Sequence, residues 1–86
     1  MTTTQISLPA ITLHGSGQQN LVDDLVIFTG RLEDALQALE DATPHQRDYN
    51  TVEEWDVALK QHGQWRKDIN RIMKEASDRA FDISVI

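Results

Sequence analysis

The chain has 86 residues, no cysteine and a formal net charge of −6. The lack of cysteine excludes a disulfide framework, thiolate chemistry and a zinc finger, and the acidic balance argues against binding to a nucleic-acid polymer, which attracts basic surfaces. No apolar run approaches the ~20 residues of a membrane span and no secretory signal opens the chain, so we expect a cytoplasmic protein without a membrane partner. A domain of this size buries only about 60% of its unfolded surface, which leads us to expect a homo-oligomer.

Residues 1–15 are predicted to form an extended N-terminal arm. Apolar and polar residues alternate there, as in a half-buried strand, and Pro9 restricts the segment to an edge or a bend. The apolar members of the alternation are Ile6, Leu8, Ile11 and Leu13.

A Gly-Ser-Gly sequence separates this arm from the first helix. Ser16 and Gln19 have the spacing of a capping box, which favours an ordinary turn and helix start. The functional alternative is that bare N–H groups at this helix start bind a phosphate or carboxylate beside His14, Gly15 and Ser16. The sequence leaves both interpretations open.

The first helix is predicted from about residue 18 to residue 42, because apolar residues step four and three along it without a break. Gly30 lies in its middle, where glycine costs about 1 kcal/mol relative to alanine, and we interpret it as a point of close approach by another helix. The stripe comprises Leu21, Leu25, Phe28, Leu32, Ala35, Leu39 and Ala42, widened by Leu36.

Residues 43–51 are predicted to form the turn between two helices. Pro44 ends the first helix, and Thr51 with Glu54 has the spacing of a capping box that opens the second.

The same turn contains three candidate ligand-binding residues, Arg47, Asp48 and Tyr49. Asp48 is an ordinary turn residue, whereas a tight polar turn gains little from an arginine and a tyrosine. Packing of Tyr49 onto the helix ends and contact with a ligand are the two alternatives.

The second helix is predicted from about residue 52 to residue 79 by the same stepping, and residues 81–86 are predicted to form an extended C-terminal tail. His62 and Arg66 lie in the middle of the apolar stripe, where polar residues are unexpected. The stripe comprises Trp55, Leu59, His62, Arg66, Ile69, Met73, Ala76 and Ala80, widened by Trp65 and Ile72.

The position of the turn predicts which residues face each other across the hairpin. With the turn centred near Arg47, the numbers of facing residues add up to about 94. This register places His62 opposite Leu32, and Arg66 opposite Phe28.

Two interpretations of His62 and Arg66 follow. In the structural one, His62 is a hydrogen-bonded core residue, and Arg66 pairs with an acid or extends to solvent. In the functional one, the two side chains bind an anion while Trp65 or Tyr49 stacks on a base.

No nucleophile–base constellation, catalytic carboxylate pair or metal-ligand spacing is present in the sequence, so we expect neither an enzyme nor a cofactor. The predicted fold is all-α. It is an antiparallel two-helix hairpin over residues 16–80, with short extended arms at both ends, that assembles into a helical-bundle oligomer.

The order of several short motifs resembles a family of small proteins encoded by bacteriophages and prophages. These motifs are Leu13-His14-Gly15-Ser16, Pro44-x-x-Arg47-Asp48-Tyr49 after a long helix, and His62 within a second helix. His45 and Asn50 stand where the family pattern often has asparagine and a second tyrosine. The resemblance implies action inside an infected bacterial cell.

Small helical phage proteins of this size include sponges, which are oligomers that sequester nucleotide second messengers of host immunity. By size and architecture this chain resembles that class, so the first functional hypothesis is a non-enzymatic anti-defence protein that binds an anionic nucleotide. The alternatives are an acidic module that inhibits or adapts a host protein, and a structural phage component.

Overall fold

The computed structural model describes residues 16–86, which form two long helices packed against each other. Helix α1 spans Ser16–Asp41 and helix α2 spans Val52–Ser84, with a single 3-10 turn at Gln46–Asp48 between them. No strand occurs within residues 16–86. The predicted all-α helical hairpin is therefore confirmed, while the predicted arm at residues 1–15 lies outside the described residues.

Helix α1 ends where the sequence predicts, at the approach to Pro44. The residue before a proline avoids the helical conformation, so the helix cannot continue through Thr43. The Thr43 hydroxyl donates a hydrogen bond of 2.6 Å to the carbonyl of Glu40, which satisfies one of the free carbonyls of the last turn.

Helix α2 begins at the predicted cap. The Thr51 hydroxyl accepts a hydrogen bond of 3.1 Å from the backbone N–H of Glu54 and lies 3.2 Å from its carboxylate. Glu53 and Glu54 also place negative charge in the first turn, where the helix dipole is positive.

The predicted extended tail at residues 81–86 is wrong, because α2 continues to Ser84. The step from Ala80 to Ile83 continues the apolar stripe, and Ile83 is only 2% exposed. Burial of this side chain against α1 stabilises the extra turn, and no proline or glycine interrupts it.

The predicted stripe of α2 is confirmed as the packed face. All eight of its members are buried or half-buried, and Ile83 adds a ninth. Within the described residues the fully buried side chains are His62, Ala76, Ala80 and Ile83.

The stripe of α1 is only partly confirmed. Phe28, Ala35 and Ala42 are exposed, whereas Thr29 and Leu36 are half-buried in their place. A helix this rich in apolar residues has a stripe wider than one partner helix can cover, so α2 packs along one edge of it. Thr29 tolerates this position because its hydroxyl donates to the carbonyl of Leu25 at 2.9 Å.

The predicted register of the hairpin is also wrong. The Gln18 side chain bonds to the carbonyl of Ile83 and the His62 ring to that of Leu39, so the numbers of facing residues add up to 101 rather than 94. The shift is two helical turns. It arises because the first turns of α2 pack against the connecting segment instead of α1, and the Trp55 indole donates to the carbonyl of Pro44 at 3.1 Å.

Gly30 is not a point of close approach within the hairpin, contrary to the sequence interpretation. A Cβ atom built on this residue would have no neighbour within 4 Å. The glycine therefore weakens α1 without a compensating contact to α2.

Candidate functional site

His62 connects α2 to the end of α1. Its ring is 3% exposed, and Nε2 lies 2.6 Å from the carbonyl oxygen of Leu39. Nδ1 lies 3.2 Å from Nη2 of Arg66. Because a guanidinium can only donate, Nδ1 accepts this hydrogen bond, and Nε2 carries the proton that goes to the carbonyl.

Arg66 continues this connection to the next residue of α1. Its Nε donates to Glu40 Oε2 at 2.5 Å, and its Nη2 lies 3.5 Å from Oε1. Leu39 and Glu40 belong to the last turn of α1, whose dipole is negative and whose carbonyls accept backbone hydrogen bonds from Ala42 and Thr43, three residues later, in place of the regular helical ones. A hydrogen-bond donor and a cation therefore both suit this position.

These contacts are those of the structural interpretation, in which His62 is a hydrogen-bonded core residue and Arg66 pairs with an acid. The sequence did not identify Glu40 as the acid because the predicted register placed Arg66 opposite Phe28, roughly three turns before Glu40. The spacing of four residues between His62 and Arg66 was the available signal that they act together.

Trp65 lies beside this pair along the chain but on a neighbouring face of α2. Its side chain is 55% exposed. It occupies the same face as Ile72, one heptad later, since positions seven apart nearly coincide around a helix.

The connecting turn presents the second group of candidate residues to solvent. Arg47 and Asp48 lie in the 3-10 turn, which is held by backbone bonds from Asp48 to His45 and from Tyr49 to Gln46. All three candidates are exposed, Tyr49 at 37%. Within residues 16–86, Arg47 forms no ion pair.

The predicted site residues do not form one site within a single chain. Ser16 begins α1 and the turn follows its end, and a helix of 26 residues is about 39 Å long. The pair of His62 and Arg66 lies about 15 Å along α2 from its first residue. His14 and Gly15 lie outside the described residues.

Charges are distributed differently on the two helices. Three of the six basic residues of α2 pair with acids of the same helix one turn away, among them Lys60 with Asp56 at 2.9 Å and Lys74 with Asp78 at 2.8 Å. The hydrogen bond and the charge of Asp78 raise the pKa of Lys74. Arg71 likewise lies between two acids of its own helix.

Helix α1, by contrast, contains six acids and a single base. Only Glu40 pairs with a base among the described residues. Helix α1 therefore supplies most of the net negative charge. Asp23, Asp34 and Asp41 lie on one exposed side of α1, which we call the acidic face, while Asp24 and Glu33 lie on its two flanks.

Two shallow grooves run along the two edges of the contact between the helices. The Phe28 groove, of about 150 Å³, is lined by Leu25, Phe28, Ile72, Glu75, Ala76 and Arg79. The Gly30 groove, of about 280 Å³, is lined by Val26, Thr29, Gly30, Glu33, Ser77 and Ala80. Both are smaller than the usual pocket for a small organic ligand.

Two further properties concern residues 16–86 only. They contain no cluster of three or more side chains arranged to hold a metal ion. Neither described helix combines the length and the apolar character needed to cross a membrane.

Comparison with known protein families, with curated proteins and with solved structures finds no match to this chain. Functional inference therefore depends on the geometry and the charges described above.

Proposed function

We propose that the protein is a non-enzymatic binding module that acts as an oligomer and presents the acidic face of α1 to a cationic groove of another protein. The main supporting observation is the difference in charge balance between the helices. Helix α2 contains six bases and seven acids, whereas α1 contains one base and six acids, five of which form no ion pair among the described residues.

A row of unpaired carboxylates attracts a cationic partner over several ångströms and accelerates its association. In the phage setting that the resemblance implies, the target is a host protein whose groove normally binds an anionic partner. The exposed carboxylates need no rearrangement to reach such a groove, since none of them is buried.

A pair of variants with equal net charge tests this proposal. The first replaces Asp23, Asp34 and Asp41 of the acidic face with asparagine, and the control replaces Asp56, Asp68 and Asp78 of α2, which lie in intrahelical pairs. Binding is measured by fluorescence anisotropy with a labelled lysine- and arginine-rich peptide at 20–300 mM salt (roughly a fourfold range of Debye length).

We expect the α1 variant to lose at least about tenfold in affinity and much of its salt dependence, while the control changes far less. Equal losses in both variants would show that only net charge matters and would contradict a role for the acidic face. Circular dichroism of both variants checks that the helices persist.

A nucleotide sponge is the second candidate function, and the turn supports it. Arg47 and Tyr49 are exposed on a backbone held by two hydrogen bonds, so a guanidinium and an aromatic ring are available to a phosphate and a base. His62 and Arg66 have a structural role in this proposal, because their polar atoms already have partners in the chain.

A thermal-shift panel distinguishes this second function. A cyclic dinucleotide or an ADP-ribose derivative that binds the turn should raise the melting temperature, and Arg47→Ala should abolish the rise. Arg71→Ala, on the exposed side of α2, is the matched control. An unchanged melting temperature at millimolar ligand would eliminate those nucleotides as targets.

A further inference from the structure

The hairpin buries few apolar side chains within one chain. Among residues 16–86 the fully buried apolar side chains are those of Ala76, Ala80 and Ile83. Trp65 is 55% exposed and Phe28 is 45% exposed. A core this small does not offset the conformational entropy of two helices of 26 and 33 residues, so additional apolar burial is required.

A set of apolar residues along the Phe28 groove forms a regular surface, which we call the apolar side of the hairpin. Its members are spaced seven residues apart on each helix, so each set lies on one face. The observed register places them in three rows across the hairpin, Phe28 with Ile72, Ala35 with Trp65, and Ala42 with Ala58. A fourth row, at one end, pairs Leu21 with the charged Arg79.

The opposite side of the hairpin has a different composition. Its seven-residue series on α2 is Gly63, Asn70 and Ser77, and on α1 it is Gln19, Val26, Glu33 and Glu40, in which Val26 is the one large apolar side chain. Val26, Glu33 and Ser77 line the Gly30 groove, so this series lies on the other edge of the helix contact. Apolar burial by a further helix pair therefore favours the apolar side.

We infer that the apolar side binds a second copy of this chain, so that two hairpins form a four-helix bundle. The seven-residue spacing is the pattern by which helices pack against helices, which makes a helical partner the matching occupant. One row, Ala35 with Trp65, pairs a small with a large side chain. A two-fold axis along the hairpin lays Trp65 of each copy over Ala35 of the other, and Phe28 against Ile72.

The area of the apolar side is large enough to bind a second copy of the chain. From Leu21 to Ala42 the apolar side is about 32 Å long, and two adjacent helices are about 20 Å wide. The resulting footprint of roughly 600 Å² per chain, before side-chain relief is counted, lies at the lower end of what stable dimers bury. The acidic face stays outside this interface, since Asp23, Asp34 and Asp41 lie on another side of α1.

The proposed function requires an oligomer, and the four-helix bundle is the form of that oligomer. It does not depend on which protein is the target. Its test uses Trp55→Phe, which leaves Trp65 as the only tryptophan. We expect blue-shifted emission from Trp65 at tens of micromolar protein. The emission should shift to the red on dilution, in parallel with a fall in light-scattering mass from twice 9.8 kDa to 9.8 kDa.

Two matched substitution pairs locate the interface. Trp65→Glu and Phe28→Glu should reduce association at least about a hundredfold. Val57→Glu and Ile27→Glu should leave it within about threefold, although Val57 is 55% and Ile27 57% exposed. The dilution experiment does not need the disruptive variants, so it remains decisive if either of them fails to fold.

Two outcomes would overturn the inference. Blue-shifted Trp65 emission that is independent of concentration at a mass of 9.8 kDa would show that another segment of the same chain covers the apolar side. Solvent-like emission at twice that mass would show that the copies meet elsewhere. The dilution experiment contains no cationic peptide. A negative result would therefore not affect the acidic-face proposal, which has its own test.

Discussion

The ring of His62 donates a hydrogen bond of 2.6 Å to the carbonyl of Leu39, and this contact sets the register between the two helices. The carbonyl belongs to the last turn of α1, where it has no standard helical partner. A residue that interrupts the apolar stripe of α2 thus satisfies a polar group at the end of α1.

Replacing His62 with leucine should lower the free energy of unfolding by about 1 kcal/mol, because the carbonyl of Leu39 would lose the shorter of its two hydrogen bonds and keep the one from the N–H of Ala42 at 3.1 Å. Urea denaturation at a fixed protein concentration measures the change. Gln61→Leu, at the exposed neighbouring position, is the control and should remain within about 0.5 kcal/mol of the parent. A neutral His62→Leu would show that solvent reaches the carbonyl.

Arg66→Met should change stability by no more than about 1 kcal/mol. The side chains of Arg66 and Glu40 are 40% and 42% exposed, so water screens their ion pair. A double-mutant cycle with Glu40→Gln should give a coupling energy of about 0.2–1 kcal/mol. Coupling above about 3 kcal/mol would instead indicate a desolvated pair, as in a tight oligomer interface.

Ile83→Ala should cost about 2–5 kcal/mol, as expected for a fully buried aliphatic side chain. The matched control is Ile86→Ala, since Ile86 is 60% exposed and should be nearly neutral. Both are compared by chemical denaturation. Equal effects at the two positions would mean that residues 81–86 behave as the extended tail that the sequence pattern suggested.

Gly30→Ala should stabilise the protein by up to about 1 kcal/mol, because a Cβ atom meets open space and alanine is the better helix former. Thermal and urea unfolding both report the gain. Gly63→Ala also has no neighbour within 4 Å and should behave similarly. Destabilisation at Gly30 would place a partner's backbone on the polar side of the hairpin, contrary to the inferred interface.

The local patterns of the sequence were sufficient for the helical elements. Four-three stepping on both sides of Pro44 predicted two helices, and Thr51 with Glu54 predicted the start of the second. These features are short-range, since periodicity and capping involve residues within one or two turns of each other.

The local sequence also carried a signal for the end of α2, but the strand-like alternation of residues 81–86 predicted an extended tail instead. Residues 81–86 alternate as a strand does, yet Ile83 also continues the helical stripe from Ala80. A short apolar segment fits both periods, and only burial against α1 decides between them.

The register of the hairpin was decided by the tertiary structure. Counting from the turn assumes that the helices face each other from their first residues. Instead, the Trp55 indole bonds to Pro44 and holds the start of α2 against the connecting segment. The resulting shift of seven residues preserves the helical faces and changes every facing residue. Arg66 comes opposite Ala35 instead of Phe28, and its side chain reaches Glu40.

The sequence by itself therefore determined the two helices, the Thr51 cap of α2 and the residues of α2 that face α1, because these depend on neighbours along the chain. The tertiary structure decided which edge of the wide α1 stripe is covered, which acid pairs with Arg66, and that Trp65 and Phe28 remain exposed on the same side. These depend on how two helices slide and rotate against each other, which is governed by long-range packing and by the path of the connecting segment.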